Sequence, residues 1–120
     1  MASLTFSQIV ERQRAFDASI GYDWQDRNPE RQLENLKYVT IAISGEIGEI
    51  ANPLKKFLRE CKHNDFDAEK FAQLRGMLGE EAVDIFIYTL ILASVLGIDL
   101  EQAYLEKFAR NEKKFAALKK

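Results

Sequence analysis

Residues Ile85–Ile98, IFIYTLILASVLGI, form the longest apolar run in the chain. At 14 residues it falls short of the roughly 20 that a membrane span requires, and Thr89 and Ser94 interrupt it. Such a run has to be covered by other protein, so it predicts a central core helix. Its apolar groups lie on nearly every side, and a four-helix chain of this size has too few elements to bury them all. A homodimer or homotetramer is expected, with the functional site taking residues from more than one chain.

The rest of the chain also reads as helix. It contains only two prolines, and no alternating strand pattern competes. Thr5 and Gln8 have capping-box spacing, which predicts a first helix over about 6–19. GYDWQDRN, Gly21–Asn28, reads as a loop. Asn28-Pro29 is a start signal for a second helix from about Glu30. Its seam is Leu33, Leu36, Thr40, Ile43, Ile47, Ile50, Leu54 and Phe57, at helical period. Pro53 removes an N–H from that helix and predicts a kink, or a stop and restart. ECKHNDF, Glu60–Phe66, reads as a loop. Asp65 or Asp67 then caps a third helix through Leu96, with Gly76 and Gly79 weakening its first half. Gly97 ends it, and Asp99 with Gln102 starts a fourth helix to about Leu118. The fold class is all-α, four helices in a single domain spanning 1–120.

Apolar residues make up 47% of the chain, enough for a core. There are 17 Lys and Arg against 19 Asp and Glu, net −2, with the signs interspersed. No basic block predicts a nucleic-acid groove, and no segment predicts a membrane anchor. Cys61 is the single cysteine, which fits a reducing cytoplasmic location. The first residues lack the apolar centre of a signal peptide.

Against this background two pairs of carboxylates stand out. Glu46 and Glu49 lie at i, i+3 beside the seam of the second helix. In the third, Met77, Glu81, Asp84, Tyr88, Ile91 and Val95 form one helical stripe, so Glu81 and Asp84 occupy seam positions. Carboxylates in a seam are costly unless paired or bound to a cation. A solvated helix face or a salt bridge to Lys or Arg would account for such pairs. So would convergence of all four on a hard divalent cation, Mg²⁺ or alternatively Mn²⁺. Other metal chemistries fail: His63 is the only histidine, so Glu60 and His63 cannot form a di-iron bundle site, and Cys61 with His63 is too small a set for structural zinc.

The order of these motifs, GEIGE at Gly45–Glu49 and EEAVD at Glu80–Asp84, resembles the MazG-like all-α nucleoside triphosphate pyrophosphohydrolases, the superfamily of the dCTP pyrophosphatases and dimeric dUTPases. Lys107 and Asn111 are similar to the Lys-x-x-x-Asn of its last helix, and ANPLKK to the ANxxKK of small phage and bacterial members. The resemblance covers roughly 24–115. It departs from the pattern in a long gap between the motifs and in Pro53. What it implies is a MazG-like bundle assembled as an oligomer. The implied activity is cleavage of a nucleoside triphosphate to monophosphate and pyrophosphate, as in nucleotide-pool house-cleaning. Glu46, Glu49, Glu81 and Asp84 would bind Mg²⁺, one glutamate orienting or deprotonating water. Lys107, Asn111 and Tyr88 would contact phosphate or sugar. Trp24, Tyr22, Phe16 or Tyr38 would stack on the base, each being a core or interface residue otherwise, and Lys56 or Arg27 would meet phosphate, surface charge being their default role. The alternatives are phosphoribosyl-ATP pyrophosphohydrolase and a non-catalytic helical dimerisation or regulatory module.

Overall fold

A computed structural model describes residues 3–119, and all regular structure in it is helical. Helix α1, Phe6–Ser19, begins at the expected capping box: Gln8 N–H donates to Thr5 Oγ1 at 3.2 Å, and Thr5 N–H donates to Gln8 Oε1 at 2.8 Å. It ends in a Schellman motif. Tyr22 N–H donates to Asp17 O at 2.9 Å and Gly21 N–H to Ala18 O at 3.1 Å, with Gly21 at φ +101°. Only glycine adopts that φ without strain, and the reversal sends Tyr22 and Trp24 back towards the core.

Helix α2, Pro29–His63, starts where Asn28 Oδ1 accepts from the amides of Glu30 and Arg31. It runs unbroken through Pro53, so the expected stop and restart does not occur, and Glu60–His63 are helical rather than loop. Proline inside a helix costs about 3 kcal/mol. The packing beyond it offsets this: Phe57 meets Phe66 and Phe71 at centroid distances of 5.7 and 5.8 Å. Lys62 and His63 in the last turn also suit the negative end of the helix.

Helix α3, Ala68–Leu96, takes Asp67 as its cap, with Glu69 and Lys70 amides donating to Oδ1 at 3.0 Å, and carries Gly76 and Gly79 without a break. It too ends in a Schellman motif, with Gly97 at φ +70°. Helix α4, Leu100–Lys114, is shorter than expected: a separate 3₁₀ turn, Ala116–Leu118, follows it. The axis turns by 100° between α3 and α4. No single helix among the described residues is long and apolar enough to cross a membrane.

Helices α2 and α3 are the principal packed pair, and α1 lies against α3. The core where they meet is Trp24, Val39, Ile91 and Val95, backed by Leu36, Ile43, Ile87, Tyr88 and Leu92. The loop before α2 is tied to the end of α3. Arg27 donates to Val95 O at 2.9 Å and Ser94 O at 3.0 Å, and Gln32 Nε2 to Val95 O at 2.8 Å. A cation thereby sits on carbonyls at the negative end of the helix. Arg27 is a structural clamp here rather than a phosphate contact.

Helix α4 stands apart from this unit and makes no extensive contact with α1–α3. The radius of gyration is 18.6 Å, against about 14 Å for a compact chain of this length. Tyr104, Leu105, Phe108 and Phe115 remain about half exposed or more on it. Met77, Val83, Phe86, Ile41 and Ile47 are similarly open on α2 and α3.

Candidate metal centre and adjoining cavity

The seam positions of α2 and α3 bring Glu46, Glu81 and Asp84 together. One carboxylate oxygen from each lies within 4.8 Å of the other two. All three side chains are half-buried. Glu46 Oε2 and Glu81 Oε2 are shielded from solvent and lack a hydrogen-bond partner. No Lys or Arg forms an ion pair with any of the three among the described residues. The salt-bridge explanation for these carboxylates therefore fails.

Glu49 stands at the margin of this group and is exposed. Glu81 beside it, first through hydrogen bonding and then through charge, pushes the Glu49 carboxyl above its ordinary value. Glu81 is itself raised, chiefly by Glu46, with burial and Asp84 adding to the effect and Glu49 opposing it. Like charges this close cannot all ionise freely, so the cluster holds protons or a cation.

These shifts have a definite consequence for stability. A carboxyl raised in the folded state stabilises the fold fully below its unfolded value, ~4.3, and loses that contribution as pH rises through the folded value. For Glu49 and Glu81 the loss therefore comes on the alkaline side of ordinary carboxyl titration. A divalent cation bound here reverses the trend, because it needs ionised ligands and displaces protons. The expected result is a rise in melting temperature on adding Mg²⁺ that is larger at pH 8 than at pH 5. Equal rises at both pH values, in a buffered thermal-shift series, would contradict it.

A cavity of about 400 Å³ opens from the cluster. Glu46, Asp84 and Tyr88 line one part of it, and Tyr22, Trp24 and Tyr38 another. Burial, then the charges of Glu46 and Asp84, raise the Tyr88 hydroxyl above its ordinary value. Tyr22 and Trp24 stack with centroids 5.0 Å apart, and Tyr38 lies 5.9 and 6.0 Å from the two. Trp24 is only 4% exposed, so it forms the back wall, while the tyrosines present the open rings. Among the described residues, no Lys or Arg lines the cavity.

The residues predicted from sequence divide accordingly. Glu46, Glu81, Asp84, Tyr88 and Trp24 come together, with Glu49 at the edge. Phe16 is exposed and absent from the lining, as is Lys56 on α2. Lys107 and Asn111 sit on α4, which contributes nothing to the cavity of its own chain. Sequence reasoning missed Gln13 and Asp17, which line the cavity from α1. Their i, i+4 spacing placed them on one face, but only the packing of α1 on α3 gives that face a cavity.

The fold and site define a class: an all-α chain with a carboxylate cluster at the mouth of an aromatic cavity. Comparison with known proteins adds one relative at this point. Over 66 residues the chain is 39% identical to the "Gene 37 protein" of Mycobacterium phage L5, covering 55% of this chain. The chain spans about half the length of that relative, 54%. No family model and no solved structure matches.

Proposed function

We propose that this chain is a divalent-metal-dependent hydrolase that cleaves a nucleoside triphosphate to its monophosphate and pyrophosphate. The observation that carries the reading is the convergence of Glu46, Glu81 and Asp84, two with buried unpartnered oxygens, beside an aromatic cavity. The donors are all hard oxygens, which suits Mg²⁺, or Mn²⁺ as the alternative. When bound, the ion offsets phosphate charge and acidifies water. A cavity lined with acids and no cation accepts a polyphosphate only on those terms.

Glu46, Glu81 and Asp84 would hold the ion, with Glu49 beside them. Glu49, whose affinity for protons is raised by Glu81, is suited to orient the attacking water and take its proton. The water oxygen bonds to the α-phosphorus as the bond to the bridging oxygen breaks, and pyrophosphate leaves. Tyr88 donates its hydroxyl to a phosphate oxygen. The tyrosine faces receive the base.

Completion of the site requires a second copy. Between Lys107 and Lys119 the chain carries five cations against one anion, Glu112. Asn111 lies on the same stripe as Tyr104, Phe108 and Phe115, and Lys107 is one turn from it. A surface that covers these aromatics meets Asn111 and Lys107 as well. The acidic cavity is the complementary surface, and within one chain α4 does not reach it. Lys107, Asn111 and, by reach from the far end of α2, Lys56 would then serve a neighbouring chain's triphosphate.

Light scattering is expected to show a dimer or tetramer. Mixing inactive Glu81→Gln subunits with inactive Lys107→Ala subunits is expected to restore part of the activity. A monomer at assay concentration, or no recovery after subunit exchange, would defeat the shared site. Pyrophosphate release across a panel of triphosphates tests the activity. A folded oligomer that cleaves none of them, phosphoribosyl-ATP included, would favour the non-catalytic module.

A further inference from the structure

Asp17 is the one fully buried charged residue among the described residues, 6% exposed, and it has no place in the metal cluster. It sits in the last turn of α1, where the helix end is already negative. No cation pairs with it among the described residues. Two N–H groups hold it: Gln13 Nε2 donates to Oδ1 and Trp24 Nε1 to Oδ2, each at 3.0 Å. All three residues line the cavity.

This arrangement fixes hydrogen-bond polarity. An ionised carboxylate only accepts, and its two oxygens offer about four lone-pair positions, of which two are taken. Gln13 must turn its NH₂ to Asp17, which assigns its Oε1 the role of acceptor elsewhere. The polar wall between the aromatic rings is therefore rich in acceptors and carries a negative charge. A ring amino group donates to such a wall. A keto oxygen in the same place meets it lone pair to lone pair, and the buried charge makes that mismatch costly.

We propose that Asp17, oriented by Gln13 and Trp24, is the specificity-determining residue of the cavity. It selects a base with an exocyclic amino group, cytosine or adenine, over its keto counterpart. This rests on the cavity being the base end of the nucleotide site described above.

The experiment compares pairs that differ at that group, dCTP with dUTP and ATP with ITP, as kcat/KM with Mg²⁺. The amino member is expected to be favoured in each pair by about tenfold or more. In Asp17→Asn, which replaces one acceptor with a donor at equal size, the ratio is expected to fall to near one or invert. The change is carried by KM rather than kcat. Equal or keto-favouring wild-type ratios overturn the proposal. So does an unchanged ratio in an Asp17→Asn protein whose circular dichroism matches wild type.

A separate readout distinguishes this from failure of the hydrolase reading. Trp24 is the sole tryptophan, and its emission reports a ligand in the cavity without turnover. If no triphosphate is cleaved, titration with dCMP and dUMP decides. Tighter dCMP binding upholds the selection while the cleavage reading falls. Equal binding, or none, overturns the selection too.

Discussion

Glu81→Gln is expected to abolish metal-dependent pyrophosphate release while making the metal-free protein more stable at neutral pH. Glu81 faces Glu46 on one side and Glu49 on the other, and has a buried oxygen without a donor. An amide there removes one charge from the crowd and supplies an N–H to a neighbouring carboxylate. The metal-free melting temperature should therefore rise above wild type at pH 7–8. The same change removes a ligand from the group that would hold the cation. Loss of a single oxyanion donor already costs about 10²–10³ in kcat, so the fall in rate should reach at least about 10³-fold. Opposite signs for stability and activity mark a functional site. A variant that loses stability and activity together would place Glu81 in the scaffold. The readouts are a pyrophosphate-release assay and metal-free calorimetry on one preparation.

Trp24→Ala is expected to have the largest effect on folding. Trp24 is 4% exposed, belongs to the core cluster with Val39, Ile91 and Val95, and donates to buried Asp17. Truncating a buried aromatic costs about 3–5 kcal/mol. Depriving a buried acceptor of its donor adds about 1–3 kcal/mol. Against a total stability of about 5–15 kcal/mol, the sum removes much of the folded population. The melting temperature should drop by more than about 10 °C. Trp24→Phe keeps most of the packing and loses only the N–H, so its penalty should be close to the smaller figure alone. If Trp24 served only to stack on a base, both variants would melt like wild type and differ in KM. Thermal unfolding by circular dichroism separates these outcomes.

The local chemistry of helix ends made most of the secondary structure legible. Thr5, Asn28, Asp67 and Asp99 cap the four helices, because a short polar side chain next to an apolar period has few other uses. Pro53 misled because its penalty is local, while the Phe57 contacts that outweigh it come from α3 and the preceding loop. The end of α4 was misjudged for a related reason: its periodicity continues to Leu118, but Phe115 and Leu118 stay largely exposed and the helix gives way to a 3₁₀ turn.

The carboxylates of the site were legible because acids in a seam conflict with its burial, and conflicts between local chemistry and packing point to function. The structure narrowed the four to a convergent three with Glu49 at the margin. Asp17 gave no such signal, since a carboxylate near the end of an amphipathic helix reads as solvated until α1 is laid on α3. Trp24 was open to either a stacking or a core role; it is a core residue that also closes the cavity. The separation of α4 could not be read either: Asp99 and Gln102 announce a helix, while its direction depends on the 100° turn after Gly97.

The central claim is that Glu46, Glu81 and Asp84 hold a divalent cation that enables triphosphate cleavage. The measurement is pyrophosphate release by the wild-type protein across the common ribo- and deoxyribonucleoside triphosphates, with Mg²⁺, with Mn²⁺ and with chelator. Release is expected to require the metal and to yield the monophosphate in equal amount. Release that persists in chelator, or a folded protein that cleaves none of the panel with either metal, would overturn this assignment.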